Sequence, residues 1–88
     1  MREIKVQLLP LMLVWTAVID GETITARLTD TSPALTGTIQ PADVDRLLAG
    51  EVIELTWHQD GRDPFTGWLI TDKQAEKNWQ EYQAGRHG

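Results

Sequence analysis

The stretch "LLPLMLVWTAVIDGETITARLT", residues 8–29, decides the fold. Val6 to Ile19 is mostly apolar, interrupted by Pro10, with Arg2 and Lys5 ahead of it and small residues around Thr25-Ala26 behind it. A secretory leader has that layout. A membrane anchor needs about 20 apolar residues, more than this run offers. Asp20-Gly21 favours a third reading, a β-hairpin, because a type I′ turn needs positive φ at both central positions and Asp-Gly is among the pairs that supply it. A loop of those two residues sets Ile19 opposite Glu22, Ala17 opposite Ile24, Trp15 opposite Ala26 and Leu13 opposite Leu28. That face is apolar apart from Glu22. The reverse face pairs Val18 with Thr23, Thr16 with Thr25 and Val14 with Arg27, a β-branched and mostly polar surface. A cleaved leader has no reason to match its downstream neighbour in register, so the segment is read as part of a folded sheet.

Working outward, "REIKVQLL" (residues 2–9) alternates, with Ile4, Val6 and Leu8 on one face, and reads as a half-buried strand. Pro10 marks a bend or an edge. Strands over 12–19 and 22–29 form the hairpin. "TDTSPALTG" is rich in turn formers and reads as a loop, with Thr38 and Ile39 as a short extended piece. In "QPADVDRLLAG", Pro41 suits the first helical position, Asp43 and Asp45 suit the positive helix end, and Gly50 suits the position after the C-cap. Val44, Leu47 and Leu48 form its apolar stripe.

"EVIELTWH" and "FTGWLIT" read as a second hairpin around "QDGRDP". With His58 opposite Phe65, a core face carries Ile53, Leu55, Trp57, Trp68 and Ile70, and the reverse face carries Val52, Phe65 and Leu69. In "TDKQAEKNWQEYQAG", Thr71 and Gln74 fit a capping box, Ala75, Trp79 and Tyr82 share one helical face, and Gly85 is the expected stop. Trp79 and Tyr82 are expected to cover the apolar reverse face; a partner or a second copy is the competing occupant. The expected class is α+β, a mainly antiparallel five-stranded sheet (β-β-β-α-β-β-α) with one short internal helix and a C-terminal helix. Residues 1–85 form a single domain and 86–88 a frayed C-terminal tail.

Composition narrows the function classes. With 88 residues and no cysteine, the chain has no disulfide and no thiolate metal site, which suits the cytoplasm. Four tryptophans supply large apolar surface. The net charge of −5 disfavours direct nucleic-acid or anionic-membrane binding. His58 and His87 lack metal-ligand spacing, and His58 reads as a surface residue beside Phe65. Asp60 and Asp63 lack the further oxygen ligands that calcium needs. Ser32 has no nucleophile elbow, and no phosphate-binding glycine motif occurs. No catalytic, cofactor or metal residue is therefore assigned, and no cofactor is expected. Residues 42–70, through Leu47, Leu48, Gly50, Ile53, Leu55 and Gly61, resemble helix–Gly–hairpin modules appended to some plasmid-encoded topoisomerases and primases, a resemblance that carries no functional residue across.

The expectation is a non-catalytic acidic protein that binds a larger protein or complex with a basic surface. Phage and mobile-element inhibitors of host defence nucleases, anti-CRISPR proteins among them, are the class that size and charge suggest. The expected contacts are the acidic hairpin tips, Asp20 with Glu22 and Asp60 to Asp63 including Arg62, aided by strand addition at a sheet edge. The alternative is a structural or assembly subunit, a homodimer through Val52, Phe65 and Leu69, with an enzyme subunit as a third reading; a monomer would favour the first reading over the homodimer.

Overall fold

A computed structural model of the protein describes residues 1–9 and 13–86. Its strands are β1 (Arg2–Leu9), β2 (Val14–Asp20), β3 (Thr23–Arg27), β4 (Leu35–Thr38), β5 (Ile53–His58) and β6 (Phe65–Thr71). Helix α1 (Pro41–Leu48) joins β4 to β5, and α2 (Asp72–Arg86) follows β6. Every strand pairs antiparallel with its sequence neighbour, and β6 pairs with β1, so the sheet closes into a six-stranded barrel. The class is α+β with an antiparallel sheet and two helices, as expected. The strand count is six rather than five, because β4 lies mostly in a stretch read as a loop, with Thr38 alone of its residues read as extended. Its inward positions are Leu35 and Gly37, and glycine there hides the apolar alternation that betrays a strand. Closure also removes the sheet edge on which strand addition was to occur.

The first hairpin folds back as the sequence predicted, with a shifted turn. Asp20 pairs with Thr23 and Ile19 with Ile24, so the loop is Gly21-Glu22. Gly21 has φ +61, and no non-glycine residue among those described has positive φ. That is the signature of a type II′ turn, with glycine first. A type I′ turn centred on Asp20 would force an aspartate to positive φ, and the one-residue shift avoids that cost. The faces are preserved, since each strand moves by one place and the parity of each pair stays the same. Ala17, Ile19, Ile24 and Ala26 face the core. Leu13 and Leu28 lie beyond the strand ends and are exposed.

The second hairpin differs by one residue in β6 alone, and that inverts the strand through Leu69, while Ile70 is buried as expected. Trp57 pairs with Phe65, Leu55 with Gly67 and Ile53 with Leu69. Leu69 is wholly buried and Trp68 is 43% exposed, the opposite of the predicted assignment. Trp57 is the reason. Its ring fills the barrel interior at 0% exposure, beside Gly37 on β4 and Gly67 on β6. A Cβ at Gly67 would stand 2.7 Å from Trp57 Cδ1 and 2.8 Å from Nε1. Only a glycine fits there, so Gly67 must face inward and Trp68 outward. Among the described residues the buried Trp57 Nε1 has no hydrogen-bond partner, a cost of about 1–3 kcal/mol that the burial of the ring outweighs.

Helix α1 closes one end of the barrel. Pro41 opens it, and Leu47 is buried in the core, with Val44 packed against it. Its exit is a Schellman motif: Gly50 (φ +95) donates to Leu47 O at 3.0 Å and Glu51 to Arg46 O at 3.0 Å. Helix α2 starts where predicted, with the Gln74 N–H donating to Thr71 Oγ1 at 3.2 Å. It continues through Gly85 to Arg86, past the expected stop, as an exposed helix in which a Cβ at Gly85 would meet none of the described residues. Among the described residues, no helix is long and apolar enough to cross a membrane.

Candidate interaction surfaces

The up-and-down order of the strands places the two predicted acidic tips at opposite ends of the barrel. Asp20 and Glu22 lie at the α1 end, where the Glu22 carbonyl accepts the Ile39 N–H at 2.8 Å. Asp60, Arg62 and Asp63 lie at the other end, in the β5–β6 loop, where Arg62 N donates to Gln59 O at 3.1 Å and Gly61 has φ +79. One flat partner surface therefore cannot engage both tips. The predicted apolar patch also separates. Leu69 is inside the barrel, Val52 precedes β5 at the α1 end, and Phe65 begins β6 at the opposite end. His58 pairs with Thr36 on β4, while Phe65 sits opposite Trp57. Ser32 spends its hydroxyl on Thr29 Oγ1 at 2.7 Å. Residues 10–12, where the bend at Pro10 was expected, and residues 87–88 of the tail, with His87, lie outside the described residues.

The surface that sequence reasoning missed is α2 itself. The helix was expected to lie flat over an apolar sheet face; Leu69 turns inward, and Trp68, which takes its place on the outer face, stays 43% exposed. Instead α2 touches β1 and β6 only near its start and then projects outward. The molecule measures 46 × 26 × 22 Å as a result. Trp79 and Tyr82, 49% and 59% exposed, stack with ring centroids 5.7 Å apart. At its root, the Gln7 amide donates to Asp72 Oδ1 at 2.9 Å and ties α2 to β1. Gln7, Asp72, Glu76 and Trp79 border a notch of about 340 Å³ between helix and barrel. Two carboxylates beside an indole ring suit a guanidinium or ammonium group, which gains both charge pairing and cation–π attraction.

The chain matches no known family model, no curated protein and no solved structure. The resemblance of residues 42–70 to topoisomerase and primase modules gains no support from them.

Proposed function

We propose that this chain is a non-catalytic binding protein that docks on a larger partner through α2. The observation that carries this reading is the projecting helix with its stacked, half-exposed Trp79–Tyr82 pair. Large aromatics at an interface supply much contact area for little lost side-chain freedom, which is why they dominate binding hot spots. The partner is a protein with a basic, partly apolar surface: a lysine or arginine enters the notch at Asp72, Glu76 and Trp79, and the −5 net charge assists the encounter. Within this reading, size and acidity favour an inhibitor that occupies a nucleic-acid-binding surface of a host defence complex, the class to which anti-CRISPR proteins belong. The acidic tips contribute to steering from a distance rather than as joint contacts.

The test compares proteins captured from host cells by the wild type and by Trp79→Ala/Tyr82→Ala. The barrel does not rest on these exposed rings, so the variant should keep its fold by circular dichroism and lose the captured partner. An unchanged set of captured proteins rejects the proposal. An assembly subunit would use the same rings on a second copy, and light scattering that reports a dimer in the wild type and a monomer in the variant would favour that reading instead.

A further inference from the structure

The barrel end opposite α1 holds a concavity of about 420 Å³, bordered by Arg27, Thr36, His58, Asp60 and Arg62. Its floor is rigid. Thr36 and His58 are register partners on the outer wall of β4 and β5, and Thr36 Oγ1 donates to the His58 carbonyl in a long contact of 3.5 Å. Arg27 ends β3, and Arg62 is set by the tight turn at Gly61. Two separate segments, the end of β3 and the β5–β6 loop, thus each bring an arginine to the lining of one concavity.

The charge there is unusual for this chain. Acids outnumber bases 13 to 8, yet neither Arg27 nor Arg62 has a carboxylate within 4.0 Å among the described residues; both ion pairs found there belong to Arg46. Two guanidinium groups sharing a concavity repel each other, and an anion between them removes that repulsion. The planar guanidinium fork matches the oxygens of a phosphate. Asp60 is the one carboxylate in the lining. It would oppose a bare anion but would accept hydrogen bonds from hydroxyl groups attached to one, and the volume leaves room for a sugar.

We propose that this concavity binds the phosphate monoester of a sugar, with Arg27 and Arg62 holding the phosphate and Asp60 accepting from a sugar hydroxyl. This site is independent of α2 and of any protein partner. The probes are ribose 5-phosphate, inorganic phosphate and ribose, each titrated into the full chain and followed by backbone amide shifts. Ribose 5-phosphate should shift Arg27, Thr36, His58 and Arg62 saturably, inorganic phosphate should do so more weakly, and ribose should not. Arg62→Ala, at an exposed loop tip, should weaken binding at least about tenfold, the loss expected for one charge-assisted contact. Arg46→Ala, on α1, should leave binding unchanged. Asp60→Asn should weaken ribose 5-phosphate but not inorganic phosphate. The proposal is overturned if ribose 5-phosphate gives no saturable shift, or if Arg62→Ala binds as the wild type does. It also fails if Arg46→Ala weakens binding as much as Arg62→Ala, since that means diffuse charge attraction. Equal loss of both anions in Asp60→Asn overturns the hydroxyl assignment.

Discussion

Trp57 organises the interior, and two glycines make room for it. Gly37 is its register partner on β4, and Gly67 lies against its indole from β6. Trp57→Ala should therefore destabilise the protein by about 3–5 kcal/mol in urea denaturation, since the ring leaves a cavity that the closed barrel cannot collapse around. Gly67→Ala should cost about 1–3 kcal/mol by overpacking. The two effects are coupled. Phenylalanine places no indole edge against Gly67, so Gly67→Ala should cost less in a Trp57→Phe background; equal costs in both backgrounds would show that the glycine is needed for its backbone and not for the ring. The burial of Trp57 was legible in the sequence from its alternation with Ile53 and Leu55. The inward facing of Gly67 was not, because glycine carries no hydropathy signal and the choice of register rests on a steric fit across strands.

Among the elements, α1 and α2 contrast. The short α1 has a fixed exit and drives Leu47 into the core, and its sequence signals (Pro41, Asp43, Gly50) were all readable because they act within a few residues. Gly50→Ala should destabilise by about 1–2 kcal/mol: φ +95 strains any other residue, and the new Cβ would fall 2.5 Å from Gln74 Oε1. Helix α2 has a legible start at Thr71 but an illegible destination. Whether α2 lies down or stands out is decided by its packing against β1 and β6 near its start, which no signal within the helix carries. Amide exchange should separate its halves, with the amides of residues 77–84 exchanging far faster than those of β1, β2 and β6. Protection in α2 equal to that of the strands would mean that the helix packs on something in solution.

For the molecule as a whole, closure of the sheet removes edge pairing, and the alternating strand directions send the two acidic loops to opposite ends. The projecting helix makes the chain longer than a compact domain of its size. The radius of gyration over Cα atoms is 13.6 Å, against about 12 Å for an ordinary 88-residue domain. Deleting residues 77–86 should bring the value measured by X-ray scattering down towards the compact figure while circular dichroism still reports a β-rich fold. An unchanged radius would place α2 against the barrel. Charge reversal at either acidic tip should slow association with a basic partner modestly and mainly at low salt, whereas Trp79→Ala should speed dissociation.

Local chemistry determined much of this protein. Alternation marked β1, β2 and β5, Asp20-Gly21 announced the first bend, and proline, glycine and threonine bounded the two helices, because each of these signals acts over a turn or a strand. The tertiary structure decided what no neighbouring residue could. The bulk of one tryptophan set the face of β6, and pairing of β4 with β3 and β5 and of β6 with β1 closed the sheet on itself. With Leu69 inside and Trp68 outside, α2 stands out from the barrel instead of covering that wall, while closure of the sheet gathers Arg27, His58 and Arg62 from distant segments around one concavity.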